Sequence, residues 1–312
     1  MKASEWRQTL GSMATTAQDA IVAALTDPNM LVPIEWVGIP ISGGGHDAIL
    51  YVGCDSLKVG EPDDCVRVNV SMSAHQQVCD ALGLQMPTAK MLDVIYANRE
   101  VTAEPCTYQI GANGNITVID PATGAQTIVS MSSVTAMFAH DARVSNLVAG
   151  RRGLVCNSGK AWTLKASLSG STAANYGWYT NAAPYKSVTG AYKLWQPLST
   201  AHNVSHADYS QVCYAIHPFM IVDGSTVATA DVITNADLAP LVSHEGALPS
   251  ARHPGLGFYT PPQGVVQIAP PIESIRLVGQ YGPGVGSAGG KVLALGAGLF
   301  AGWQIARHIF GV

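Results

Sequence analysis

The stretch Ser71-Met-Ser-Ala-His-Gln-Gln-Val-Cys-Asp-Ala-Leu-Gly-Leu-Gln-Met-Pro-Thr-Ala-Lys-Met-Leu-Asp-Val-Ile-Tyr-Ala-Asn98 reads as two capped helices joined by a sharp turn. Ser73 with Gln76 three residues on makes a capping box, Val78 and Leu82 give the four-residue apolar spacing, and Gly83 stands where a helix ends. A second helix starts at once. Pro87 and Thr88 open it, Met91, Leu92, Ile95 and Tyr96 line one apolar face, and Lys90, Asp93 and Asn98 fall on the other.

On the N-terminal side, Trp6, Leu10, Met13, Ala17, Ile21 and Leu25 recur mostly at three- and four-residue steps, which predicts a helix over 4–24 stopped by Asp27-Pro28. Residues 1–28 thus read as a helical arm, for docking or for the core. A central domain over 29–278 follows, with short strands expected at 49–53 and 66–70 between Pro and Gly signals. The alternation over 106–130, broken by Asn113-Gly114 and Asp120-Pro-Ala-Thr-Gly124, predicts a small meander insertion. A helix over 133–147, extended pieces at 154–156 and 162–168, and an aromatic segment over 176–218 come next. That segment, with Trp178, Tyr179, Tyr209 and Tyr214, is expected to hold the core sheet and any concave site. Residues 239–271, rich in Pro and Gly, are expected to wander over the surface. Mixed helices and short strands without βαβ order predict an α+β fold.

A Gly-rich linker over 279–290 leads to an apolar helix expected over 291–312. Ala294, Gly298, Gly302 and Ala306 recur every fourth residue there and make a face that another backbone can approach closely, an assembly helix. Its uninterrupted apolar run, Val292 to Trp303, is 12 residues against the roughly 20 of a bilayer span. Packing on copies of this chain is therefore expected first and membrane contact second.

Only 12% of the 312 residues are charged, 47% are apolar, and the net charge is −4. Such a surface suits burial by neighbours, and without a basic stripe nucleic acid is not expected as a partner. The basic concentration at Arg151, Arg152, Lys160 and Lys165 reads as a solvated face. Six cysteines without a CxxC pair read as buried thiols, with a Cys54–Cys65 disulfide as the other possibility. The opening residues lack the apolar run of a signal peptide, so unaided secretion is not expected.

The polar cluster His202-Asn-Val-Ser-His206-Ala-Asp208-Tyr209-Ser210 is the richest candidate for chemistry. A His206–Asp208 pair could orient a general base, with Ser210 or a distant residue as nucleophile. In the alternative, Asp208 and Ser210 bond a loop and Tyr209 fills the core. No HExxH-type signature is present, and neither metal nor cofactor is expected.

Met86-Pro-Thr-Ala-Lys-Met-Leu-Asp-Val-Ile95, Tyr176-Gly-Trp178 and Asp208-Tyr-Ser210 resemble a poorly characterised family of phage virion and secreted bacterial proteins. Its pattern is Leu-Pro-Thr-x-Lys-Met-x-Asp-x-Ile, then Tyr-Gly-Trp, then Asp-Tyr-Ser. The resemblance spans about residues 45–220. It implies that Thr88, Lys90, Asp93 and Trp178 bind substrate beside catalytic His206, Asp208, Tyr209 and Ser210, with cell-wall or glycan material as substrate. Where the family continues His-Gly, this chain has Gln211-Val212. The expectation is a virion component of tail, baseplate or ejection apparatus, made in the host cytoplasm. Its partners would be other virion proteins, copies of itself and the bacterial cell wall. An active wall hydrolase and a membrane-anchored binding module are the alternatives.

Overall fold

The computed structural model describes residues 1–261, 264 and 268–279; the linker beyond Gly279 and the assembly helix lie outside the described residues. In chain order the elements are α1 (Ala3–Trp6), α2 (Gln18–Thr26), β1 (Trp36–Gly43), β2 (His46–Gly53), β3 (Lys58–Glu61), β4 (Asp64–Arg67), α3 (Met72–Leu82) and α4 (Ala89–Ala97). Then come β5 (Val101–Thr102), β6 (Asn115–Ile119), β7 (Gln126–Ser130), α5 (Val134–Val148), β8 (Val155–Cys156), β9 (Lys160–Trp162) and β10 (Thr172–Tyr179). The rest are β11 (Tyr185–Lys186), β12 (Lys193–Asn203), β13 (Gln211–Val212), β14 (Phe219–Val222), β15 (Ser225–Ala228), α6 (Thr229–Thr234) and β16 (Arg276–Leu277). The mixture is α+β.

Two five-stranded sheets form the frame, in orders β15-β14-β2-β1-β16 and β11-β12-β10-β9-β13. Helix α4 touches β1 of one sheet and β10 of the other, and one apolar core runs through Val37, Ile39, Leu50, Met91, Ile95, Trp162 and Tyr176. Burying each such side chain contributes roughly 1.5–3 kcal/mol. The helix pair of 71–98 is thus the central layer. Its first cap is Ser71, whose hydroxyl accepts from Ala74 N at 3.1 Å, two residues before the expected capping box. Gly83 closes α3 at φ +60°, a left-handed cap for which glycine has no steric cost. Thr88 caps α4 by accepting from Met91 N at 3.2 Å.

The expected N-terminal helix is broken. Residues 12–14 pair with the segment before α5, Ala14 N donating to Ser132 O at 2.7 Å and Val134 N to Ser12 O at 2.9 Å, and helix resumes only over 18–26 as α2, with Ile21 and Leu25 in the core. Gly11, Ser12, Thr15 and Thr16, all weak helix formers, sit at the break. The meander is the β6–β7 hairpin, turned at Asp120–Gly124; Arg7 reaches that turn and bonds Asp120 at 2.9 and 3.1 Å. A buried Arg67 on β4 bonds Asp55 of the β2–β3 connection at 2.6 Å and ties the hairpin to α5 through Asp141 at 2.9 Å. All six cysteines are free thiols, so Cys54 and Cys65 are not joined.

Residues 239–261 do more than wander. Arg252 clamps Asp80 of α3 at 2.6 Å, and Leu248 and His253 are buried. Among the described residues no helix is long and apolar enough to cross a membrane.

Candidate functional site

The register of the second sheet gathers the polar residues. Opposed residues on paired strands share a face, and the pairs Lys160↔Gly177, Trp162↔Asn175, Ala173↔His202 and Lys160↔Gln211 place Lys160, Trp162, Asn175, His202 and Gln211 on the same side. A bulge in the β10–β12 ladder beside His202 adds one residue on β12, a device that re-aims side chains.

After β12 the chain turns on Asn203, whose side-chain oxygen accepts from Ser205 N at 3.0 Å and Ser205 Oγ at 2.8 Å. The turn folds His206 back over His202, their rings 4.0 Å apart and 11° from parallel. Both imidazoles lean on the edge of buried Trp162, at 6.0 and 6.4 Å.

Asp208 is the organising acid. Its carboxylate accepts from Ser210 N at 2.8 Å, Gln211 Nε2 at 3.1 Å, His206 Nε2 at 3.2 Å and the Ser210 hydroxyl. Burial resists its ionisation, but the bond from His206, the positive charge of Lys160 and the Ser210 bonds outweigh this and hold the carboxyl well below the usual range. A carboxylate can only accept, so the bond requires a proton on His206 Nε2, and Nδ1 is the ring nitrogen left outside it. His206 keeps 27% of its side chain exposed, against 1% for Asp208.

Of the four expected catalytic residues, His206 alone therefore offers a titratable atom to solvent. Ser210 is buried and its hydroxyl is committed to Asp208. Tyr209 fills a second small core with Trp178, Ile116 and Val118, its oxygen accepting from Tyr108 N at 3.1 Å.

Three of the four residues expected to bind substrate are elsewhere. On α4, the Thr88 hydroxyl donates to Val242 O and Lys90 Nζ to Pro240 O, pinning the 239–243 segment. Asp93, expected on an exposed face, is 1% exposed. It accepts from the hydroxyls of Tyr176 and Tyr179 at 2.7 and 2.8 Å, and from Thr189 N and Oγ1 at 3.0 and 2.6 Å. These residues sit across the sheet from His206.

Trp178 does join the His206 side, for a backbone reason. Tyr176 and Tyr179 are three apart and would face opposite ways on a regular strand. Positive φ at Gly177 (+139°) and Trp178 (+62°) turns the chain so that both hydroxyls meet Asp93 while the indole swings to the other face. A tryptophan in this region carries a strain of about 1–2 kcal/mol. Its ring lies 5.1 Å from Lys160 Nζ.

Lys160 is the residue that sequence reading misplaced. It is not on a solvated basic face but 8% exposed, and burial lowers its pKa while Asp208 partly restores it. The available signal was its place between the apolar pieces Leu154-Val-Cys156 and Ala161-Trp162. Asn175, fully buried with neither amide atom paired, was also missed.

Elsewhere, an open groove of about 560 Å³ beside the β1–β2 turn has His46 and Asp237 as its titratable rim. Among the described residues, no group of three or more His, Cys, Asp or Glu side chains could hold a metal ion. Comparison with protein-family models, curated proteins and solved structures gives no match to this chain.

Proposed function

We propose that this chain is a bacteriophage virion component, of the tail, baseplate or ejection apparatus, whose central domain is built like a cell-wall hydrolase. The observation that carries the hydrolase-like reading is the His206–Asp208 pair at 3.2 Å, a buried carboxylate fixing the tautomer of a half-exposed imidazole. In this reading His206 Nδ1 is the base that takes a proton from water, and Asp208 stabilises the imidazolium that results. Ser210 serves the loop and not as nucleophile. The low charge of the chain supports the virion setting. The apolar segment over 291–312 is proposed to pack through Ala294, Gly298, Gly302 and Ala306 against copies of itself or other virion proteins, tethered by the linker 279–290.

A second reading, an active peptidoglycan or glycan hydrolase, is favoured by the same open Nδ1. Zymograms and turbidity loss on purified cell walls separate the two. Clearing by the full chain that His206→Ala abolishes makes it a working hydrolase, and no clearing leaves the scaffold. Mass spectrometry of purified particles tests the virion setting directly; absence of the chain from intact particles sinks it.

A further inference from the structure

We infer that the outward face of the β11–β12 ribbon, which carries Lys186, Lys193 and Trp195, is a docking surface for an acidic polysaccharide. The inference goes beyond the hydrolase-like reading and stands whether or not wall material is cleaved.

The strand register defines the face. Lys186 lies directly opposite Lys193, and Tyr185 opposite Leu194. Alternation along a strand then puts Lys186, Lys193 and Trp195 on one side and Leu194 on the other. Burial agrees, since Leu194 is in the core while both lysines and Trp195 are exposed.

Like charges facing each other across a strand pair destabilise it. Among the described residues nothing offsets this pair. Neither ammonium has a hydrogen-bond or ion-pair partner there, and residues 180–207 include no Asp or Glu. The ribbon is nonetheless firmly held. Asp93 accepts from Thr189 N at 3.0 Å and Thr189 Oγ1 at 2.6 Å, and Val188 N donates to the Tyr176 hydroxyl at 2.8 Å, so the loop joining the two strands is anchored in the core. The backbone beneath both lysines is therefore in place before a ligand arrives, which lowers the ordering cost of binding.

Charge and shape select the partner. Two ammonium groups side by side match a ligand with acidic groups at successive positions, and its arrival replaces their mutual repulsion with attraction. Trp195 keeps 44% of its surface exposed beside them. An exposed indole is a flat apolar platform with a polar N–H at its rim, suited to the C–H face of a sugar ring. Acid groups joined to rings describe an acidic polysaccharide, with one carboxylate on each sugar. Nucleic acid also joins anions to rings, but its affinity comes from many neutralised phosphates. Two cations on a chain of net charge −4 supply too few.

The experiment uses the full chain and four probes: polygalacturonate, the same polymer with its carboxyls reduced to alcohols, poly-glutamate, and a single-stranded DNA oligonucleotide. Calorimetry at low salt gives the affinities. Polygalacturonate should bind at least about tenfold more tightly than each of the other three. Lys186→Gln combined with Lys193→Gln should weaken polygalacturonate at least about tenfold, or about 1.4 kcal/mol. The Tm of that double variant should hold or rise, because the opposed charges are gone. Trp195→Ala should weaken polygalacturonate and leave poly-glutamate unchanged. Equal affinity for the reduced polymer, or unchanged binding by the double variant, overturns the inference. Poly-glutamate or DNA bound as tightly as polygalacturonate overturns it as well, by removing the need for a sugar ring. Should the double variant fail to fold, Lys186→Gln and Lys193→Gln made singly give the same comparison. Wall clearing, present or absent, bears on His206 and leaves this result untouched.

Discussion

Lowering the pH from 7 to 5 should destabilise this protein by about 4 kcal/mol through two buried imidazoles. His75 and His140 are 0% and 1% exposed. His75 Nε2 donates to Tyr214 O at 3.0 Å, which leaves Nδ1 enclosed with no partner; His140 has an enclosed, unpaired Nε2. Protonation would place an ammonium-like N–H in a site without an acceptor. Burial accordingly lowers the pKa to about 4 for His75 and about 3 for His140. For His140 the charge of Asp208 pulls the other way, and Arg143, Arg67 and Lys160 reinforce the shift. Between pH 6.5 and these values the unfolded chain binds more protons than the native one, so stability falls as pH falls. Each group loses about 1.4 kcal/mol per pH unit, or about 2 kcal/mol by pH 5. Carboxyls held low, Asp55, Glu100, Asp120 and Asp208, contribute their losses chiefly below pH 5, from the ordinary carboxylate range down to their lowered values. Urea unfolding at pH 7, 6 and 5 measures the slope. A stability constant to within about 1 kcal/mol over that range would refute the burial of two neutral imidazoles.

Arg67→Ala should cost about 3–5 kcal/mol, read as a fall in Tm, because Asp55 and Asp141 are left buried without their cation; Arg67→Met with Asp55→Leu and Asp141→Leu should recover much of it. Asp93→Ala should lower stability by at least about 2 kcal/mol by stranding two tyrosine hydroxyls and the Thr189 donors, while residual function measured in the cold stays near wild type. Loss of function without loss of stability would return Asp93 to the site. In Asp208→Asn, the amide cannot accept at both oxygen positions, so His206 should lose its fixed tautomer in ¹⁵N imidazole spectra and the loop about 1–3 kcal/mol. An unchanged Nε2–H signal would show that Asp208 does not set it.

Local rules carried the middle of the chain. Thr88 and Gly83 mark helix ends by capping chemistry that needs no distant partner, and α3, α4 and α5 lie where spacing put them. The aromatic segment supplies β11, β12, β13 and the end of β10 of the second sheet, while β9 comes from before it, and Tyr185 and Trp195 remain exposed. The first sheet was less legible, since β1 finds one neighbour in β2 and the other in residues 276–277, a pairing no local pattern encodes. The helix expected at 4–24 failed because the backbone of Ala14 found a better partner in Ser132. His206 and Asp208 were visible as a pair because they are two residues apart. Lys160 was not, because its neighbours Trp178 and Asp208 come from other strands and loops, and a lysine read alone is assigned to water.

The parallel pairing of Val37 with Arg276 and Gly38 with Leu277 also orders events during synthesis. One border of the first sheet stays open from the time β1 leaves the ribosome until nearly all the described residues have followed. Over that interval the Trp36–Gly43 segment offers unsatisfied amides and an apolar flank to any passing strand, the situation that invites mispairing. Low expression temperature or a holding chaperone should therefore raise the yield of native protein more than any change to the surface.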